Sequence, residues 1–439
     1  MILRKFYKPS RADHSQNRHT LYKNVRLSRD NYGSTSAILM ATIPAQSSDL
    51  LSSNSRARTA AEATSAAIPW YIWCATIAVT SATIGGYWDI SWHSSIGRDT
   101  FWTPAHLAIQ LCGVLAGIAF GYLILHTTFS KNSPLAPASV HIFGFRAPLG
   151  AFIASWGGVA MLLSAPFDNW WHDAYGIDVK IISPPHIILI MGIYSVVIGT
   201  LVLLAGHMNR SQAQSTKSER LLLLYINGIM LIHMMILLME YTYRPSLHNM
   251  SAYIAVSALP PIVLALSSRL TGFRFAATWV AAIYMLFRIA LILILPLFPA
   301  EPKLGPVYQQ VTHFIPPDFP ILFIVPAFIL DLVWHRTKTW AHSVWKVAAL
   351  SSLIWISVLL AVEWPFATFL MNPASENRFF GTGYLYYALP PQSLLARHLF
   401  YPVGTPLEFS LGLVAAALIG TLSFRWGISR GEWLAKIKR

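Results

Sequence analysis

The chain has 439 residues, of which 55% are hydrophobic and only 11% charged. Soluble domains carry about 25% charged residues, so this chain has too few charges to cover a water-facing surface, and a soluble globular protein is excluded. The net charge of +14 does not point to a nucleic-acid partner, because the positive residues fall between apolar runs, where membrane topology places them.

Residues 1–65 are basic and rich in Ser, Thr and Asn, with no apolar run long enough for a signal peptide. They predict a disordered segment. The same Arg- and Ser-rich, acid-poor composition also fits a transit peptide, and Met40 is an alternative start just ahead of the first apolar run. Ten apolar runs follow, at 68–88, 104–127, 148–167, 184–206, 220–242, 250–268, 275–297, 319–335, 342–365 and 407–427. Most are near the roughly 20 residues that cross about 30 Å of hydrocarbon. Inside lipid each segment must satisfy its own backbone polar groups, and the runs exceed the roughly 10-residue alternation of a barrel strand. The fold class expected is therefore an all-α integral membrane protein of ten transmembrane helices. Cys74 and Cys112 both lie inside apolar runs, which argues against a disulfide framework.

Lys and Arg in short loops mark the cytoplasmic side. With the N-terminus inside, the outer segments hold only Arg98, Lys180, Arg244, Lys303, Arg378 and Arg397, and nearly all other cations lie inside. This predicts a multi-pass protein of a bacterial inner membrane with both termini cytoplasmic. Three regions are expected: the segment 1–65, a metal-binding four-helix module at 66–210, and a six-helix module at 211–439 with no role assigned from its residues. The outer segment 366–406 is long and aromatic, and reads as an amphipathic stretch on the membrane surface.

Two stretches repeat one pattern. The first is Asp89-Ile-Ser-Trp-His93, then Gly97-Arg98-Asp99, then Thr103-Pro104-Ala-His106. The second is Asp168-Asn-Trp-Trp-His172, then Gly176-Ile-Asp178, then Ser183-Pro184-Pro185-His186. Each ends one span and opens the next on the outer side, so the module reads as an approximate repeat of two helical hairpins. Asp89 and His93 are four apart and share a helix face. His106 follows Pro104 in a first turn, the position that favours Pro, and the hairpin brings it back to the other two. Asp168, His172 and His186 can converge in the same way. One carboxylate and two neutral imidazoles leave coordination positions open, a donor set suited to copper, non-haem iron or zinc. Asp99 and Asp178 are placed to accept the spare N–H of a ligating imidazole, with Arg98 beside them; a loop salt bridge is the other use of these three residues.

The first motif resembles the signature of the C subunit of the copper membrane monooxygenases, the family of particulate methane and ammonia monooxygenases. That signature runs Asp-x-x-Trp-His, then Arg-Asp-Thr, then Thr-Pro-x-His. Asp89, Trp92, His93, Arg98, Asp99, Thr100, Thr103, Pro104 and His106 match it at every interval. The resemblance implies that Asp89, His93 and His106 ligate copper. The family's second site has the form Asn-x-x-x-His with another His fourteen residues on. His172 and His186 match that spacing, while Asp178 and Pro184 fall where the family has an acidic residue and a Pro. Asp168 stands in place of the Asn, which adds a negative charge in favour of a bound cation. The resemblance spans roughly residues 68–206. It implies activation of O₂ for oxidation of a hydrocarbon or ammonia, with partner subunits bearing cupredoxin-like domains; a homo-oligomer is a further expectation.

A different class, non-enzymatic copper delivery or transport, uses the same ligands. It would favour a ligand ladder across the membrane, and His126, His207 and His233 form no evident ladder. Among the remaining polar residues inside the spans, His233 and Glu240 are placed on one face of the fifth span, with Arg288 as a partner for Glu240. With Asp331 and Glu363 they read as polar glue between helices, a proton or ion path being the other reading, and His313 and Asp318 lie in an outer loop that can approach the metal motifs.

Overall fold

The apolar runs become helices in a computed structural model, which describes residues 67–97, 102–175, 183–210, 215–303, 311–336, 343–384 and 404–439. In chain order the helices are α1 (Trp70–Ser95), α2 (Pro104–Phe129), α3 (Leu149–Tyr175), α4 (Pro184–Arg210), α5 (Lys217–Leu237), α6 (Met250–Ala258), α7 (Pro260–Leu270), α8 (Ala276–Ile294), α9 (Ile324–Arg336), α10 (Val344–Leu370) and α11 (Pro406–Leu434). Pro260 opens α7 directly after α6, so the expected sixth span is two abutting helices. The only paired strands among the described residues are β1 (Val140–Ile142) and β2 (Phe145–Ala147), an antiparallel hairpin between α2 and α3.

The protein is thus an all-α membrane protein. Among the described residues, eight helical segments are long and apolar enough to cross a bilayer: α2, α3, α4, α5, the joined α6–α7, α8, α10 and α11. The expected first and eighth spans fall on α1, which has the length but a more polar sequence, and on α9, which has 13 residues. The expected segment 1–65 lies outside the described residues. The described helices belong to one compact unit, Ala61–Arg439.

Small residues set the helix spacing around the two motifs. A Cβ on Gly85 of α1 would lie 2.7 Å from the Ile109 nitrogen of α2, and one on Gly113 of α2 would lie 3.2 Å from the Gly158 carbonyl of α3. Across α3 and α4, a Cβ on Gly157 would come 2.6 Å from the Gly192 carbonyl, and one on Gly150 would come 2.4 Å from that of Gly199. Lipid supplies little hydrophobic drive for helix association, so close backbone approach of this kind is what holds membrane helices together. The four helices that carry the motifs are therefore fixed at short range.

α5 and the α6–α7 pair are the most enclosed segments, with 72% of their apolar windows buried, against 28% for α11. α11 turns Leu407, Leu411, Val414, Leu418 and Leu422 outward, as a lipid-facing stripe requires. Polar side chains of the second half mostly serve as helix glue. Asp331 of α9 accepts from the Thr278 N–H at 2.8 Å and its hydroxyl at 2.7 Å, capping the start of α8. Glu363 of α10 accepts from the Leu322 N–H at 2.9 Å.

Two expectations are corrected. α5 ends at Leu237, and Glu240 lies exposed in the single 3₁₀ turn Met239–Tyr241, so it does not share a helix with His233. Arg288 is not paired with Glu240. It sits over the Tyr87 ring at 4.7 Å and donates to the Asp318 carbonyl. The aromatic segment after α10 is packed in its described part: Phe379 and Phe380 cluster with Phe319 and Phe366 at tilted angles.

Candidate metal centre

Both motifs sit where one helix ends and the next begins. α1 runs past the expected boundary to Ser95, which keeps Asp89 and His93 on consecutive turns of one face. Gly97 then ends the helix: its φ of +83° is a left-handed conformation, and its N–H and that of Ile96 both bond to the Trp92 carbonyl. Glycine is the residue suited to that position, so the Gly of the motif terminates the helix one turn after the ligand. On the return, the Thr103 hydroxyl accepts from the His106 N–H at 3.2 Å, with Pro104 as the first helical residue. His106 thereby enters the first turn of α2 with its ring directed back at α1.

The three side chains meet. Asp89 Oδ1 is 3.2 Å from His106 Nε2, and Asp89 Oδ2 is 3.6 Å from His93 Nε2. The second set is built alike from the end of α3 and the start of α4. Asp168 Oδ1 lies 3.3 Å from Nε2 of both His172 and His186. Within each triad the candidate ligand atoms all lie within 4.8 Å of one another. All six residues expected to bind metal are therefore brought together in two threes. The accompanying Arg98, Asp99 and Asp178 lie outside the described residues.

The donor set fits a bound ion. Ligand atoms at about 2.0–2.2 Å from a common metal stand roughly 3–4 Å from each other, close to the separations here. Asp89 Oδ1 is buried and accepts no hydrogen bond among the described residues despite the nearby His106 nitrogen, so this carboxylate has an acceptor position left for a cation. The triads differ in exposure. The His93 side chain is 39% exposed, whereas those of Asp168 and His172 are 8% and 9% exposed.

One cavity of about 120 Å³ touches both triads. Asp89 and His106 line it from one set, Asp168 and His186 from the other, and Ile109, Leu189, Ile193 and Ile236 supply much of the apolar wall. Tyr194, Gln110 and His233 also line it. Tyr194 and Gln110 were not singled out from the sequence. The signal was present, since Gln110 stands four residues after His106, and Tyr194 eight after His186, so each repeats its ligand's helix face.

The second half of the chain braces the first triad. Ser91 Oγ donates to the Ile315 carbonyl at 2.5 Å, the Ile315 N–H donates to Ser95 Oγ at 2.8 Å, and the Lys303 N–H donates to the Ile96 carbonyl at 2.9 Å. Trp92 packs on Phe314 with ring centroids 5.7 Å apart. The segment between α8 and α9 thus grips the α1 terminus through Ile315 and Phe314. The exposed His313 bonds its neighbour Thr312, and Asp318 accepts from the Arg244 N–H. Comparison with protein-family models, curated proteins and solved structures finds no match to this chain.

Proposed function

We propose that this protein is a membrane copper protein of the monooxygenase C-subunit type, which serves oxidation of a small substrate, such as a short hydrocarbon or ammonia, by O₂ within a larger complex. The observation that carries the reading is that two separate Asp/His/His sets converge and face one small, mostly apolar cavity. Asp89, His93 and His106 would hold one ion, and Asp168, His172 and His186 the other. Copper, when bound, supplies one-electron chemistry and open positions for an oxygen ligand, in keeping with its preference for imidazole donors. The chain's own part is to hold the imidazoles in place, to offset the ion's charge with one carboxylate each, and to keep water from the space between the sites. Electrons would come from quinol or from partner subunits with cupredoxin-like domains.

The proposed topology is ten spans, including α1 and α9, with both termini cytoplasmic in a bacterial inner membrane and the triads on the outer side. The Lys/Arg distribution supports it. The matching placement of the two triads, each at a helix end followed by a Pro-led helix start, supports descent of the 66–210 module from a repeated hairpin.

Copper delivery without catalysis is the second reading, favoured by the 39% exposure of His93, which leaves the first set open to an incoming ion. Membranes containing the copper-loaded protein, given ¹⁸O₂, a quinol as electron donor and ethane or ammonia, distinguish the two. The proposed activity predicts labelled product that disappears in a His93→Ala/His172→Ala variant. Bound copper that passes to an external chelator, with no labelled product, supports delivery instead.

A further inference from the structure

The cavity between the two triads carries polar groups that neither triad uses. Neither the Tyr194 hydroxyl on α4 nor Gln110 Oε1 on α2 has a hydrogen-bond partner among the described residues. Both atoms are shielded, and both residues line the cavity. His233 of α5 lines it as well and is 4% exposed. Its Nε2 lies 3.4 Å from Thr83 Oγ1 of α1, and its ring centroid lies 6.3 Å from that of Tyr194.

A buried polar atom without a partner costs about 1–3 kcal/mol. Both side chains line the cavity while their polar atoms are turned out of reach of it, so a change of side-chain torsion in either would bring that atom to whatever fills the space. The volume limits the occupant. An apolar cavity of about 150 Å³ admits benzene, so about 120 Å³ suits a molecule of roughly five to six non-hydrogen atoms. The aliphatic wall disfavours a charged body. A hydroxyl or an amine both donates and accepts, and so can serve a phenol and an amide together.

We propose that this cavity is a binding site for a small uncharged molecule, apolar over most of its surface and bearing one hydroxyl or amine. Tyr194 and Gln110 engage that group, His233 flanks it, and the apolar remainder lies between the two triads. The proposal goes beyond the functional reading above, since a hydrocarbon lacks such a group and ammonia lacks the apolar body, and rests on that reading only for the metals on either side.

The test uses the full chain in detergent and ¹⁹F NMR with two isosteric probes, 2,2,2-trifluoroethanol and 1,1,1-trifluoropropane, each corrected for partition into empty micelles. The wild type should bind trifluoroethanol saturably and in preference to trifluoropropane. Tyr194→Phe and Gln110→Leu should each weaken trifluoroethanol by about three- to tenfold, the effect of one net hydrogen bond, without weakening trifluoropropane or changing metal content. Absence of saturable binding, trifluoroethanol affinity unchanged in both variants, or equal loss for both probes would overturn the proposal. Probe preference in a protein that binds no metal would retain this site and remove the metal reading; two bound ions without probe preference would do the opposite.

Discussion

Oδ1 of Asp89 lies 3.2 Å from Nε2 of His106 on the neighbouring helix, and Asp168 stands in the same relation to His186 at 3.3 Å. In both sets a single carboxylate joins the two helices of a hairpin. Asp168 is the more enclosed of the two carboxylates, so its charge is the less screened by water. Asp168→Asn should therefore weaken binding at the second site by more than the about 10–100-fold that changes around a metal ligand cost, and leave the first unaffected. Competition with a chelator of known affinity measures this. Equal affinities for both proteins would show that Asp168 is not a ligand.

The glycine contacts couple packing to the sites. Gly85→Leu would drive α1 from α2, and Gly157→Leu would drive α3 from α4, because neither position has room even for a Cβ. Overpacking typically costs about 1–3 kcal/mol, and more where backbone must move. Each variant should melt earlier in detergent than the wild type. Gly85→Leu should lose metal chiefly from the first triad, and Gly157→Leu chiefly from the second. Normal melting with both ions retained would contradict the close-packed arrangement.

His248 lies outside the membrane-spanning helices and is buried beside Thr368, 3.0 Å from its hydroxyl, and edge-on to Trp364. Burial pushes its imidazole down to about 4 from the ordinary 6.5, against a backbone hydrogen bond at Trp364 that works the other way. With the folded value below the unfolded one, the unfolded chain takes up the proton first. His248 thus contributes fully to stability above about pH 6.5, and that contribution is lost as pH falls toward about 4. Denaturation midpoints between pH 7 and 4 should fall more steeply for the wild type than for His248→Gln. Parallel pH profiles would refute this.

The orientation can be read with single cysteines in a Cys74→Ala/Cys112→Ala background. Phe143 lies at the turn of the β1–β2 hairpin and is 85% exposed; Tyr175 lies just past His172 and is 66% exposed. An impermeant maleimide applied to intact cells should label Tyr175→Cys and not Phe143→Cys. The reverse pattern would place the triads on the cytoplasmic side.

Much of this architecture is legible in the residues. The helices follow from charge-free length, and the triads from an Asp-x-x-x-His spacing that needs only α1 and α3 to continue past their apolar stretches, which they do. Other features depend on contacts between distant segments. The grip of Ile315 on Ser91 and Ser95 joins residues more than two hundred positions apart, and no local pattern announces it. Arg288 chose the Tyr87 ring and a backbone carbonyl over Glu240 because α5 gives way to a 3₁₀ turn before Glu240. Tyr194 and Gln110 read as ordinary residues of apolar spans until the helices are placed, since their helical register with His186 and His106 gains meaning only when both faces meet one cavity.

Metal content after purification without added metal tests the central claim most directly. The account predicts two ions per chain, most abundantly copper, in the wild type. It predicts one in His93→Ala, one in His172→Ala and none in the double variant, because the two triads share no ligand. Metal content undiminished in the His93→Ala/His172→Ala protein would contradict the assignment of both sites.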